Sequence, residues 1–416
     1  MTESNMNSAP WLTIIGIGEG GMDDLGDLAW SLLVNAEVIL GGERHLAMVP
    51  DELSSKAKRM TWPSPLSLVY DQLKKLRGTP VVILASGDPM EFGIAGSLTR
   101  HFDWHEMRVL PSPSSFSLAA SILGWPLDKV VRLTIHGRNP AALVPHLMPG
   151  ARLLILSKDG TSPALVARLL CERGLDKASV TVLEHLGGEK EKVIESTAKL
   201  LDDSGDDLKF ADLNLLAVSL PERFDGWLPA VPGLPDEAFE HDGKMTKRDI
   251  RASALAKLAP HPGALLWDVG TGCGSIAIEW MRAHPSCMAI GVEPQEKRRA
   301  FAQHNADMLG VPKLRLLNGT APDSLRGEPH PDAVFVGGGL SADVINFCMR
   351  SLKPGGRLVA HAVTLGSEKL LLEMFERNGG ELTRLSIAKA EAVGPYYGWK
   401  TAMPVTQWAF VKDDGL

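Results

Sequence analysis

The residues best suited to chemistry lie in one short run, Leu265-Leu266-Trp267-Asp268-Val269-Gly270-Thr271-Gly272-Cys273-Gly274-Ser275-Ile276. An apolar strand leads into three glycines at alternate positions, and the pattern predicts a helix over 275–283. Glycines there let the chain turn tightly and let a ligand approach the backbone. The helix N-terminus offers free N–H groups and partial positive charge, which suit a carboxylate or a polar edge. The spacing is G-x-G-x-G, not the G-x-G-x-x-G of dinucleotide sites. The next strand, 288–292, ends on Glu293, an acid positioned to accept hydrogen bonds from ribose hydroxyls. A lone glycine triplet is an ordinary turn, and a lone Glu293 is a solvated strand-end acid. Triplet, helix, strand and acid in this order point to a nucleotide-type ligand. Gly270, Thr271, Gly272, Cys273 and Gly274 form its loop, and Ala321, after a strand at 314–317, is placed either to cover its base or in a simple Gly- and Pro-bearing turn.

A basic run stands upstream of this unit. Lys244, Lys247, Arg248 and Arg251 fall within eight residues at the start of an expected helix. Cations there oppose the helix dipole, so they need another purpose than helix stability. A substrate carrying several carboxylates supplies one. Three further turn-rich loops sit at strand ends in the first half. They are Gly16-Ile17-Gly18-Glu19-Gly20, Ser86-Gly87-Asp88-Pro89 and Pro111-Ser112-Pro113-Ser114-Ser115. Each alone is an ordinary loop; together they are able to line one cleft.

The elements that must position these groups alternate throughout. Short Val, Ile and Leu runs (11–17, 81–85, 152–156, 213–218, 264–269, 288–292, 333–336, 357–360) alternate with helix-length amphipathic segments. This is the α/β pattern with largely parallel sheets. Pro221, Pro229, Pro232, Gly233 and Pro235 mark a semi-rigid linker, which predicts domains over 1–220 and 241–416 joined by 221–240. A second cluster of Pro and Gly at 136–149 predicts a break between two lobes of the first domain. The chain has 416 residues and a formal charge of −7, so no global basic field draws nucleic acid or an acidic membrane. The four cysteines make no C-x-x-C pair, which argues against zinc and against a disulfide framework. Met1–Pro10 is polar, without a basic and apolar leader pattern, and no apolar run reaches membrane-spanning length. A cytoplasmic protein is expected.

The second-half features resemble the class I (Rossmann-like) S-adenosylmethionine (SAM) methyltransferases. SAM has no pyrophosphate, which accords with the loop spacing. Val336-Gly337-Gly338-Gly339 stands where amine-methylating branches carry Asn/Asp-Pro-Pro-aromatic. That disfavours methylation of DNA adenine or glutamine and leaves room for a bulky substrate. The first-half loops resemble the tetrapyrrole (class III) methylases, as do His136-Gly137-Arg138 and Glu184-His185-Leu186-Gly187. The resemblance implies a two-lobed fold. It assigns Gly87, Asp88, Pro89, Ser114 and Ser115 to SAM, and Gly16 and Gly18 to the tetrapyrrole cleft. Pro113-Ser114-Ser115 departs from the Gly-Ile/Val-Ser/Thr of many relatives.

The joint, Pro232–Phe239 followed by Met245–Arg251, is similar to the entrance segment of decarboxylating precorrin methyltransferases. The whole chain thus resembles the decarboxylating precorrin C5,15-methyltransferases of cobalamin synthesis. This implies carbon 5 methylation by the first domain, and carbon 15 methylation with loss of the ring C acetate carboxyl by the second. Thr246 is placed beside SAM by the resemblance. Arg138, Lys247, Arg248 and Arg251 are expected to anchor substrate carboxylates. A homo-oligomer without nucleic-acid or membrane partners is expected. A competing reading is an RNA methyltransferase with an accessory first domain, and the acidic charge balance opposes it.

Overall fold

The computed structural model describes residues 10–54 and 56–413. The polar N-terminal stretch read above lies outside the described residues except for Pro10. Contacts divide the chain into two units. One holds the described residues up to Arg138 together with Pro149–Asp225; the other holds Asn139–Met148 and the residues from Gly226 onward.

The first unit has two sheets. Strands β1 (Leu12–Ile17), β2 (Val38–Gly41), β3 (Lys58–Thr61), β4 (Val81–Ser86) and β5 (Met107–Leu110) pair in the order β3-β2-β4-β1-β5, all parallel. Both β1 and β4 are apolar runs buried on both faces, as a parallel sheet covered by helices requires. Strands β6 (Val131–Thr134), β7 (Arg152–Leu156), β8 (Ser179–Glu184), β9 (Lys192–Thr197) and β10 (Asn214–Ser219) form the second sheet, in the order β6-β7-β10-β8-β9.

Two expectations are corrected here. The second sheet is mainly antiparallel, with only β6 and β7 parallel. The reason is local: β8 and β9 join through a turn, with no crossover helix to bring the chain back parallel. The lobe break also lies earlier than 136–149. The chain leaves the first sheet at Leu110, and the helix Ser115–Leu123 already packs Phe116, Ala119 and Ala120 against Leu154, Leu215 and Ala217 of the second sheet. The crossing is therefore Pro111–Ser114. The later Pro and Gly cluster forms a 3-10 excursion, Pro140–His146, after β6.

The second unit is built on strands β11 (Leu265–Val269), β12 (Met288–Val292), β13 (Arg315–Leu317), β14 (Ala333–Val336), β15 (Arg357–Ala362), β16 (Glu381–Leu385), β17 (Ala388–Val393), β18 (Tyr396–Thr401) and β19 (Val405–Val411). Seven of them form one sheet, β13-β12-β11-β14-β15-β19-β16, with β19 antiparallel to both neighbours. This is the expected Rossmann-like sheet. Side chains of central β11 alternate between two cores. Leu266 faces the helices Arg248–Leu258 and Ser275–Ala283, while Leu265, Trp267 and Val269 face the opposite layer. Strands β17 and β18 form a separate hairpin with Val393, Tyr396, Tyr397 and Trp399 exposed. The stretch expected as a linker is largely part of this unit: Leu234 and Phe239 are buried in its core. No helix among the described residues is long and apolar enough to cross a membrane.

Candidate functional site

Parallel pairing puts the loops after β11, β12, β13 and β14 at one edge of the second sheet. Gly270 is held with φ +72°, and a Cβ there would lie 2.7 Å from Gly338 N and Cα. Gly270 and Gly338 therefore exist for each other, letting two loops touch backbone to backbone. Of the three glycines after β14, Gly338 thus has a packing reason of its own.

Asp268 is almost fully buried at the end of β11. Its Oδ2 accepts from Thr271 Oγ1 at 2.6 Å and Ala277 N at 3.2 Å. Its Oδ1 is buried without a partner among the described residues. Burial pushes this carboxyl up to about 6, and the nearby Glu293 charge adds to the shift. Glu293 is also buried; its Oε2 accepts from Gly272 N at 3.1 Å and its Oε1 from Gln295 N at 3.0 Å. Each oxygen keeps a second lone pair for a ribose hydroxyl. A Cβ on Gly272 would meet nothing nearer than Lys244 O at 3.7 Å, so the 244–247 segment passes over this loop. Ala321 is half-buried and packs against the core beside the loop after β13. Burial pushes the Cys273 and Cys348 thiols up, Cys348 to about 12, so neither is a ready nucleophile.

The basic run separates into two kinds of residue. Lys244, Lys247 and Arg248 are exposed. Arg251 is completely buried, which removes it from substrate binding and corrects the expectation for it. Its Nε donates to Glu279 Oε1 at 2.5 Å, and its Nη1 donates to Asp236 Oδ1 at 3.1 Å and Thr246 O at 2.6 Å. Its Nη2 donates to Leu234 O, and its guanidinium stacks over Phe239. Glu279 in turn accepts from Gly233 N and Leu234 N. Arg251 thus ties the entrance segment, Thr246 included, to the helix that starts at the glycine loop. Asp236 also accepts from Arg248 N at 3.0 Å, supplying the acid this cation-rich helix start needs.

In the first unit the three expected loops do converge. Ser112 Oγ donates to Gly16 O at 2.8 Å, Gly87 N donates to Ile17 O at 3.0 Å, and Ser112 N donates to Gly87 O at 3.2 Å. A Cβ on Gly16 would lie 1.9 Å from Gly87 O. Gly16 is a buried strand residue that allows this contact and does not line the cleft, which corrects its substrate-binding assignment.

Besides an open hollow of about 650 Å³ against Asp88, Ser114 and Arg132, two more enclosed cavities lie beside the loops. One of about 410 Å³ is lined by Gly18, Gly87, Ser115 and Arg138, among others. The other, of about 590 Å³, is lined by Gly87, Asp88, Ser114 and Ser115. Pro89 is buried and lines neither; it shapes the turn. Asp88 Oδ1 closes that turn by accepting from Met90 N, and Ser114 Oγ caps the helix Ser115–Leu123 through Ser117 N. Arg138 lies over the Phe92 ring at 5.4 Å.

Sequence reasoning missed a charged cluster on this cavity wall. Arg44 pairs with Glu19, and Glu19 Oε2 lies 3.0 Å from His185 Nδ1. Arg44 Nη2 also contacts Ser86 Oγ at 3.1 Å and His45 Nε2 at 3.0 Å. Burial and the adjacent Arg44 charge lower His45 to about 4, so its ring is neutral and accepts from Arg44. Glu19 carried a signal, since it sits inside the glycine loop.

Residues 11–202 match the family model of tetrapyrrole (corrin/porphyrin) methylases, and residues 237–412 match that of the precorrin methyltransferase domain. The precorrin-6Y C(5,15)-methyltransferase (decarboxylating) of Sinorhizobium sp is 46% identical over 411 residues, covering 97% of each chain. The protein of that name from Mycobacterium tuberculosis is 38% identical over 403 residues, covering 96% of this chain and 100% of the relative. A cobalt-precorrin-7 C(5)-methyltransferase of Salmonella typhimurium is 26% identical over 182 residues, 44% of this chain and 88% of its own. Fold, loops and matches define a decarboxylating SAM-dependent methyltransferase with two unlike methylase domains. The chain belongs to the precorrin-6Y C(5,15)-methyltransferase (decarboxylating) family.

The residues present fit SAM. The unpartnered Asp268 Oδ1 suits a cationic ligand, and the spare lone pairs of Glu293 suit a ribose. When bound, SAM supplies an electrophilic methyl group on a sulfonium.

Proposed function

We propose that the chain methylates a precorrin-6 macrocycle at carbons 5 and 15 and removes the ring C acetate carboxyl as carbon dioxide, giving precorrin-8. Residues 1–220 serve carbon 5; residues 241–416 serve carbon 15 and the decarboxylation. The observation that carries the reading is two separate loop clusters at strand ends, in a chain matched over 97% of its length by a relative named for both reactions. The shorter relative named for carbon 5 alone supports a division of labour.

In the second unit Gly270, Thr271, Gly272, Cys273, Gly274, Glu293 and Ala321 hold SAM, with Thr246 fixed beside them through its carbonyl. In the first unit Gly87, Asp88, Ser114 and Ser115 hold SAM, and Pro89 sets the turn. Gly18, Arg138, Lys247 and Arg248 meet the substrate, the cations pairing with its carboxylates. A meso carbon between reduced pyrroles is an enamine carbon and already nucleophilic. The protein's task is to align it and exclude water. The conjugated macrocycle provides the electron sink for decarboxylation. A homo-oligomer is part of this reading, supported by the exposed Tyr396, Tyr397 and Trp399 of the β17–β18 hairpin. So is a cytoplasmic location without nucleic-acid partners.

The test is incubation with SAM and precorrin-6 substrate, read by mass spectrometry. A gain of two methyl groups with loss of one carbon dioxide is expected. A gain of one methyl overturns the assignment of two active domains.

A further inference from the structure

Methylating an enamine carbon leaves a proton to remove. The new C–C bond forms as the methyl–sulfur bond breaks, with that electron pair staying on sulfur. The enamine nitrogen supplies the attacking pair, so the macrocycle becomes an iminium cation whose meso carbon carries both hydrogen and methyl. Neutrality returns when the C–H bond breaks, its electrons re-enter the conjugated system and a base takes the proton. The 410 Å³ cavity of the first unit is lined by two imidazoles, His136 and His185, and two carboxylates, Glu19 and Asp212. Only His185 has its ring geometry set by a carboxylate that is itself fixed.

We propose that His185 is the proton acceptor for methyl transfer in the first unit, with Glu19 as its positioning residue. This rests on the carbon 5 reading above. Glu19 Oε2 lies 3.0 Å from His185 Nδ1. Arg44, held by Ser86 and His45, pairs with the same carboxylate and fixes its position. An ionised carboxylate at Nδ1 selects the tautomer with the proton on Nδ1, leaving Nε2 bare as the base. The imidazolium formed on proton uptake is then stabilised by Glu19 beside it.

The backbone is shaped to the purpose. His185 has φ +48°, a left-handed conformation that a side-chain-bearing residue adopts at a cost. The turn that imposes it is pinned by Gly188 N donating to His185 O, and His185 N donating to Leu213 O. A Cβ on Gly188 would lie 2.7 Å from Glu19 Cβ, so only glycine lets this turn close on the Glu19 loop. Glu19 follows β1 of the first sheet and His185 follows β8 of the second, so the pair assembles only when both lobes are in place.

The test uses the full chain carrying Gly272→Asp, which silences the second SAM site so that a single methyl is counted. His185→Asn suits the left-handed backbone and lacks the base. It is expected to slow single-turnover methylation about 100-fold, the scale of general base catalysis, with SAM affinity at the first site unchanged. The second readout is independent of turnover. Nitrogen-15 NMR of histidine-labelled protein should show His185 with Nδ1 protonated and Nε2 bare. Glu19→Gln should scramble that tautomer, and Glu19→Asp should restore both the tautomer and part of the rate. Methylation by His185→Asn within threefold of its parent, or an Nε2-protonated ring in the parent, overturns the proposal. A Gly272→Asp parent that adds no methyl overturns the carbon 5 reading itself, and the base with it.

Discussion

Replacing Arg251 with methionine tests the largest departure from the sequence reading. The side chain is completely buried and bridges Glu279, Asp236 and the carbonyls of Leu234 and Thr246. Methionine fills a similar volume but leaves buried Glu279 with two backbone N–H donors and without its paired guanidinium. Breaking a buried pair from one side costs about 3–5 kcal/mol. Each orphaned carbonyl adds about 1–3 kcal/mol unless water reaches it. Relaxation keeps the total from being a simple sum, so a loss of about 4 kcal/mol is expected. Urea unfolding followed by tryptophan fluorescence reads this unit, because Trp267, Trp280 and Trp408 are fully buried in it. Hydrogen exchange should quicken at Gly233 and Leu234, whose N–H groups Glu279 holds. Adding Glu279→Gln should recover part of the loss, because the buried carboxylate that lost its partner is gone. A loss under about 1 kcal/mol refutes the structural role. So does a large drop in substrate affinity with stability and exchange unchanged, which would restore Arg251 as an anchor.

Gly272→Asp puts a side chain at φ +56° in the loop facing the 244–247 segment, and calorimetry should count one SAM site per chain where the parent has two. His361 is lowered to about 4, mainly by burial. Its stabilising contribution is full above pH 6.5 and is lost as pH falls toward 4, amounting to roughly 3 kcal/mol. Thermal unfolding of His361→Gln should therefore fall less steeply between pH 7 and 5 than the parent. Asp268 has the opposite sign, because its folded value is raised. Its ionisation destabilises the unliganded fold as pH rises from about 4 through 6. The stability gap between Asp268→Asn and the parent should widen over that range by roughly 3 kcal/mol, and a constant gap refutes the shifted value.

Strands were legible where the sequence carries unbroken apolar runs: β7, β12 and β14 have the predicted bounds. The helix Ser275–Ala283 was equally legible, because a glycine start and an apolar stripe agree. Proline and glycine density was a poorer guide, since it marks turns rather than hinges. The real lobe crossing at Pro111–Ser114 is as proline-rich as the false one.

Arg251 was misread because a run of cations gives no depth. The missed signal was periodicity: Arg251, Ala254, Leu255 and Leu258 form one helical stripe, all buried. Asp268 was visible as a residue, but its orphaned oxygen is a tertiary fact. The Glu19, Arg44 and His185 cluster could not be read from spacing. Its members come from two loops and the helix Glu43–Ala47, with Glu19 and His185 166 positions apart.

The place of β19 bears on how the second unit is made. Residues 405–411 do not add to an edge; they slot between β15 and β16 and pair with both. During synthesis, β15 therefore shows an open row of N–H and C=O groups until the chain has reached Val411. Strand β16 meanwhile waits without its partner in this sheet. Trp408, fully buried once the strand docks, arrives only with that strand. At ribosomal speeds of about 5–20 residues per second, that exposed edge persists for several seconds. The step most vulnerable to misassembly is then the closing insertion, rather than the assembly of the cofactor loops.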